Sequence, residues 1–451
     1  MPSGVRPLVS VITPSHDPRF LGDAWESLRR QSYDNWEWLV LLNAGAEWSA
    51  PDDKRVVIES VPLVNGVGHA KRIAASRAVG HIIVELDHDD VLFPEALERI
   101  VSAFADNPDA SLVYSDCVGI DASGCLIDVR YSESLGWRHA EFARGGRTVT
   151  YPLTFEPTPH NVSLIWFAPN HVRAFQRRAY EQVGGYDASL RVLDDQELMA
   201  RLYRWGPFVQ LAEPLYFQRM HDGNTQRDPA LNAEIQRRTV ELFEWEIEPN
   251  ALAWARRSEL LALDFGAAHA KPDGYLGVDQ YPGPGVDIVA ELPAKLPLPD
   301  NSVGVIRACD FLEHVADKVA VMNEIHRLLA PGGILISRTP STDGRGAFQD
   351  PTHVAFYNEN SFWYLTDEQY CRYVPTLTAR FQASRVRTYF PTLWHEQVNI
   401  SYVEAILIAL KPSAPINGGP VLVSGFRPED RDDPRDATHT DAAFAQRLPT
   451  L

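Results

Sequence analysis

At 451 residues the chain is long enough for two or three domains, each with its own core. Its 60 acidic against 42 basic side chains give a formal charge of −18, which argues against a nucleic-acid duplex or an anionic membrane surface as the main partner, since both demand a concentrated basic face, and leaves local basic patches open. No stretch approaches the roughly 18 apolar residues of a membrane span, the nearest being AILIAL at 405–410.

The N-terminus MPSGVRPLVSVITPS lacks the charged-then-apolar pattern of a signal peptide. Cys117, Cys125, Cys309 and Cys371 show neither a CxxC pair nor metal-ligand spacing, which fits reduced thiols. Together these features predict a cytoplasmic protein, with contact to a partner at the inner face of the membrane still open.

LVSVIT (8–13) and EWLVLL (37–42) read as short buried strands, with a helix between them whose Leu21, Trp25 and Leu28 share one face. GHAKRIAASRAVG then predicts a helix leading to the strand HIIVEL (81–86). Strand, helix, strand in repetition implies a parallel sheet with crossover helices. The acidic cluster Asp87, Asp89 and Asp90 therefore falls just past the C-terminal end of a parallel strand, the edge where open α/β sheets bind ligands. PEALERIVSAF predicts a helix with Leu97, Ile100, Val101 and Phe104 on one face, and SLVYSD (111–116) the next strand. Residues 124–170, rich in Trp, His, Arg and Pro without periodicity, read as loops near a site. Residues 183–206 place Asp194 and Asp195 ahead of an amphipathic helix, where acids either cap the helix or act as a base.

Residues 229–258 are helical in composition, with Pro249 and Asn250 as a break that suits a domain junction. A second α/β pattern starts near 259, with a strand ending in Asp279, a helix bearing Val319, Met322, Ile325 and Leu329, a stop at the PGG of 331–333, and the strand ILISR. The predicted architecture is α/β throughout: a first domain over 1–245, a second over 246–412, and a charged, proline-containing tail over 413–451 that reads as partly disordered.

VSVITPSHD, LRRQSYDNWEWLV, AKRIAASRAVGHIIVELDHDD, GGYD followed by LDDQELMARL, and RMHDGNT arrive in an order that resembles the inverting family 2 glycosyltransferases of the GT-A, Rossmann-like fold, over about 8–226. The resemblance implies a divalent metal, Mn²⁺ or Mg²⁺, held by Asp89 with His221 nearby. It implies a nucleotide-sugar donor met by Pro14, Asn43, Lys71, Arg72, Asp87 and His88, and a general base Asp195 supported by Asp194. A UDP-sugar is the family's most frequent donor, and the acceptor would be a glycan or lipid-linked glycan. LLNAG replaces the acidic pair followed by Gly and Ser that usually meets the base, and Asn43 offers both a donor and an acceptor there.

LDFGAAHAKPDGYLGVD, NEIHRLLAPGGILIS and GAFQDPTHVAFYNENSF resemble class I S-adenosylmethionine-dependent methyltransferases over about 259–366. The resemblance implies S-adenosylmethionine as a cofactor, with Gly266 at the methionine, Asp279 at the ribose, and Glu291 and Leu292 at the adenine. Ala268 replaces the usual second glycine, a costly change if that position needs positive φ. His314 and His353 are candidates for a base or metal ligands, although histidines in such folds are more often structural.

The reading is a metal-dependent, inverting glycosyltransferase joined to a methyltransferase-like domain, with sugar O-methylation by that domain left open. A non-catalytic second domain is the alternative, and a methyltransferase with a glycan-binding first domain is a further one. The oligomeric state is open.

Overall fold

The computed structural model describes residues 6–64, 66–222 and 228–411; the tail expected to be partly disordered lies outside them. The chain divides into two compact units, with the sequence boundary between Asn250 and Ala251.

The first unit holds β1 (Val9–Ser15), α1 (Leu21–Arg29), β2 (Trp36–Leu42), β3 (Val56–Ser60), α2 (Val67–Ser76), β4 (Ile82–Glu85), β5 (Val91–Leu92), α3 (Ala96–Asp106) and β6 (Leu112–Asp121). There follow β7 (His139–Arg144), β8 (Arg147–Pro152), α4 (Pro159–Val162), β9 (Arg173–Gln176), α5 (Arg177–Gln182), α6 (Asp194–Trp205) and β10 (Phe208–Met220). Eight strands form one sheet in the order β3-β2-β1-β4-β9-β6-β10-β5. β1, β2, β3 and β4 run parallel, and β9 runs antiparallel between β4 and β6. This is a GT-A-type arrangement, a parallel half continued by a mixed half.

Alternation explains the parallel half. Val9 and Val11, Trp38 and Val40, and Ile82 and Val84 turn into one buried cluster that also takes Leu21, Ala24 and Leu28 of α1. Residues 124–170, expected as loops, instead contain the hairpin β7-β8, paired from His139 with Pro152 to Arg144 with Arg147. Gly145 and Gly146 both have positive φ (61° and 79°), the requirement of a two-residue hairpin turn. Val149 and Tyr151 alternate into a separate aromatic cluster with Phe93 and Phe217.

α7 (Pro229–Arg257) runs through Pro249, the expected break. Phe243, Ile247, Ala251 and Ala255 form an unbroken buried stripe at four-residue spacing, and that burial outweighs the hydrogen bond lost at proline.

The second unit holds β11 (Leu261–Phe265), β12 (Leu276–Asp279), β13 (Ile288–Val289), β14 (Val303–Cys309), α8 (Lys318–Leu328), β15 (Leu329–Pro340), β16 (Phe381–Tyr389) and β17 (Tyr402–Ala409). The sheet order is β13-β12-β11-β14-β15-β17-β16, with β17 antiparallel to both neighbours. α8 ends at Leu328, ahead of the glycines expected to stop it. Leu329 already pairs with Val303, and the PGG segment is a bulge before Ile334 pairs with Val305, so strand pairing ends the helix.

Gly68 in α2 is buried, and a Cβ there would lie 2.7 Å from the Asp187 carbonyl oxygen and 2.9 Å from the Asp194 Cβ. Gly68→Ala should therefore destabilise the protein by about 1–3 kcal/mol, read as a lowered thermal midpoint.

Candidate functional site

The first site is built past the C-terminal ends of β1, β2 and β4. Glu85, the last residue of β4, is buried and ionised between two cations. Its Oε1 lies 3.2 Å from Lys71 Nζ of α2 and its Oε2 2.5 Å from Arg173 Nε of β9. The Tyr186 hydroxyl donates a third, short bond. Burial alone would raise the Glu85 pKa, but the charges of Arg173 and Lys71 outweigh it and hold the carboxyl well below its usual range.

The same two cations position the acids that open α6. Lys71 Nζ lies 3.4 Å from Asp194 Oδ2, and Arg173 Nη1 donates to Asp195 Oδ2 at 2.8 Å. Asp195 Oδ1 accepts the Gln196 N–H at 2.8 Å. Burial pushes Asp194 up to about 6 against the pull of Lys71, whereas for Asp195 the charges of Arg173 and Lys71 overcome burial and lower its pKa. Three carboxylates facing two buried cations thus share the available positive charge unequally: Glu85 and Asp195 are held low, and Asp194 is raised. Leu193 enters α6 with φ +60°, a left-handed conformation that costs a non-glycine residue about 1–2 kcal/mol and is characteristic of functional sites.

Beyond β4 the chain turns through the acid cluster. The Asp87 N–H donates to the Tyr216 hydroxyl at 3.0 Å, and Asp87 Oδ2 lies 3.3 Å from His171 Nε2. The same Nε2 is 3.3 Å from Arg173 Nη2, so it can donate to Asp87 or accept from Arg173, one at a time. Burial, then Arg173, pushes His171 down to about 4, and its ring is neutral at ordinary pH. Asp90 is buried, accepts the Arg219 N–H at 2.7 Å, and is pushed well up by burial and by the charges of Asp89 and Asp87. It serves as a structural acid.

Asp89 Oδ2 and His221 Nε2 stand 2.9 Å apart, so the two residues expected at a metal are together. The donor types suit a divalent ion, with carboxylates of Asp87 and Asp89 past a strand end, His171 beside Asp87 and His221 beside Asp89. Among the described residues Asp87, Asp90 and His171 also bring ligand atoms within 4.8 Å of one another. Asp90 already accepts the Arg219 N–H, which leaves that set with fewer free ligand atoms.

Pro14 lies on β1 opposite Leu41, and Asn43 is buried just past β2, its N–H donating to the Ser15 carbonyl at 2.9 Å. The His88 ring stands edge-on to His16, with centroids 4.9 Å apart. The two basic residues expected at the donor both have partners within the protein. Lys71, expected at the donor, is enclosed by Glu85 and Asp194. Arg72 donates to the carbonyls of Gly184 (3.1 Å) and Tyr186, because the Gly184–Tyr186 turn presents main-chain acceptors to it.

Glu85, His171, Arg173, Tyr186 and Tyr216 were not anticipated. The spacing of His171 and Arg173, one residue apart, puts both on one face of any extended segment and was a usable signal.

In the second unit Gly266 follows β11 with φ +78°. Asp279 ends β12, its carboxylate accepting the Ala268 N–H at 3.2 Å and the Tyr281 N–H at 3.0 Å. Asp279 pairs with Val289, which places Glu291 two residues past that strand edge. Leu292 packs on the core. Ala268 has φ +38°, so the position does demand the left-handed conformation that glycine tolerates better.

Residues 10–184 match the glycosyl transferase family 2 model, and residues 237–337 match a methyltransferase domain model. The chain therefore carries a family 2 glycosyltransferase domain followed by a methyltransferase domain. The O-antigen biosynthesis protein RfbC of Myxococcus xanthus is 26% identical over 48% of this chain and 16% of its own length. The chondroitin synthase of Escherichia coli is 26% identical over 49% of this chain and 30% of its own. This chain thus spans less than a third of either relative. The structure of S. aureus TarS 1-349 in complex with UDP-GlcNAc is 15% identical, covers 56% of this chain and 71% of that one, and has a TM-score of 0.38, too low to carry an argument. Among the described residues no helix is long and apolar enough to cross a membrane.

Arg173→Met would leave buried Glu85 with Lys71 alone and take from Asp195 its guanidinium partner. Such a loss is expected to cost about 3–5 kcal/mol, measurable by urea unfolding.

Proposed function

We propose that the first domain is a metal-dependent, inverting glycosyltransferase that moves a sugar from a nucleotide-sugar donor to a hydroxyl of a glycan acceptor. The observation that carries this reading is the Arg173 bridge: one buried guanidinium holds Glu85, at the root of the acid cluster, and Asp195 at 2.8 Å. Base and diphosphate site are thereby fixed to each other, and an in-line displacement needs that constraint.

Asp89 and His221 would hold Mn²⁺ or Mg²⁺, with Asp87 facing the ribose and diphosphate. The bound ion would offset negative charge on the leaving diphosphate. Asp195, ionised by Arg173, takes the proton of the acceptor hydroxyl as that oxygen attacks the anomeric carbon from the opposite face. A single displacement inverts configuration and needs no protein nucleophile. Pro14, Asn43 and His88 line the route to the nucleobase and ribose. Polysaccharide synthesis is the setting supported by the two relatives' names, and a UDP-sugar is our reading of the donor.

Asp195→Asn should lower kcat by about 10²–10⁴-fold, the usual worth of a general base, while nucleotide binding with Mn²⁺ stays near wild type by calorimetry. Asp89→Ala should lose that Mn²⁺-dependent binding. Retained configuration in the product, read by NMR of the anomeric proton, would overturn the mechanism.

For the second domain we propose S-adenosylmethionine binding at Gly266, Asp279, Glu291 and Leu292. The exposed left-handed turn at Gly266 and the carboxylate at the end of β12 support it. A scaffold role is the second reading, favoured by the strained Ala268 and by the absence of a helix in the connection 266–275. Calorimetric titration of S-adenosylmethionine should saturate and weaken by roughly tenfold or more in Asp279→Ala, about the worth of one or two lost hydrogen bonds. No heat from protein that binds nucleotide with Mn²⁺ would leave the scaffold.

A further inference from the structure

One cluster of the second unit has no part in either reading above. Glu313 and His314 follow β14, His353 lies in the segment after β15, and one ligand atom from each falls within 4.8 Å of the others. Glu313 is only 2% exposed. Its Oε2 accepts the Thr339 hydroxyl at 2.6 Å, while its Oε1 is buried without a hydrogen-bond partner. A carboxylate oxygen left bare in an interior is unfavourable unless a cation or donor meets it.

Main-chain carbonyls set the tautomers of the two imidazoles. His314 Nδ1 lies 3.2 Å from the Thr352 carbonyl oxygen and 3.1 Å from its hydroxyl, and His353 Nδ1 lies 3.0 Å from the Ala347 carbonyl oxygen. A carbonyl only accepts, so each Nδ1 carries the proton and each Nε2 keeps its lone pair. Metal-bound histidines are commonly fixed in this way by a carbonyl on the second nitrogen. The main chain fixes the spacing, since the N–H groups of Val354 and Ala355 both donate to the Glu313 carbonyl at 2.9 Å. The ring centroids of His314 and His353 stand 5.0 Å apart and edge to face.

We propose that Glu313, His314 and His353 form a binding site for a divalent transition-metal ion of the zinc class, with the remaining coordination open to water or a ligand oxygen. Two neutral imidazoles and one carboxylate favour Zn²⁺ or Fe²⁺ over Mg²⁺ and Ca²⁺. That separates this site from the oxygen-rich one of the first domain. The proposal does not depend on S-adenosylmethionine binding.

The test is a Co²⁺ titration of the chelator-stripped full-length chain in the Asp89→Ala background, followed by visible absorption and by displacement with Zn²⁺. One equivalent of Co²⁺ should bind with ligand-field bands, Zn²⁺ should abolish them, and His314→Ala or His353→Ala should weaken binding at least tenfold. No Co²⁺ uptake in the Asp89→Ala chain would overturn the site, as would unchanged bands in the doubly substituted chain with both histidines replaced and native circular dichroism. If an alanine variant fails to fold, His314→Gln and His353→Gln, which keep a polar side chain in place, decide by the same criterion.

Discussion

The first domain depends on how Lys71 and Arg173 divide themselves among Glu85, Asp194 and Asp195. Burying charge is expensive, and a buried pair repays the cost only with good geometry and further hydrogen bonds. Here the Tyr186 hydroxyl completes Glu85, and Asp194 takes up a proton below about pH 6. Four elements distant in sequence, α2, β4, β9 and α6, are tied at one point. A well-packed apolar core would join them with less electrostatic cost, but it would not hold a carboxylate ionised at the start of α6. On the proposed function the network positions the base, with stability as the condition it must meet.

The second domain reaches a comparable edge by different means. Past β11 and β12, the atoms that meet the Asp279 carboxylate are main-chain N–H groups of Ala268 and Tyr281. Gly277 allows the close approach, because a Cβ there would fall 1.9 Å from the Gly285 carbonyl oxygen. The first site is made of long side chains and resists relocation of any one of them; the second is made of backbone and resists any added side chain.

Much of this was legible in the sequence. The alternation of strand and helix, the acid cluster at a strand end, the acids ahead of α6 and Asp279 at the end of β12 all follow from local pattern. What was not legible depended on distant pairing. β9 is four residues long and is a strand only because β4 and β6 flank it, so Arg173 was hidden in a stretch without periodicity. The hairpin β7-β8 turns its apolar residues toward Phe93 and Phe217, which no window around residue 145 contains. Pro249 and the PGG bulge show the converse, strong local signals overridden by a continuous buried stripe and by strand pairing. At Ala268 the expected cost was itself the clue, since the left-handed backbone is kept and the residue bears the strain.

His171 Nε2, equidistant at 3.3 Å from Asp87 and from Arg173, can satisfy only one of them at a time. With the proton on Nε2 the ring serves Asp87 and offers Arg173 nothing; with the lone pair there it engages Arg173 and presents no donor to Asp87. On the proposed function, a cation or diphosphate arriving at Asp87 would bias that choice, and with it how firmly Arg173 grips Asp195. Linkage is reciprocal, so whatever the donor does to the base, an acceptor engaging the base returns to the donor in equal free energy. A preferred order of substrate arrival would be the kinetic trace of that single imidazole.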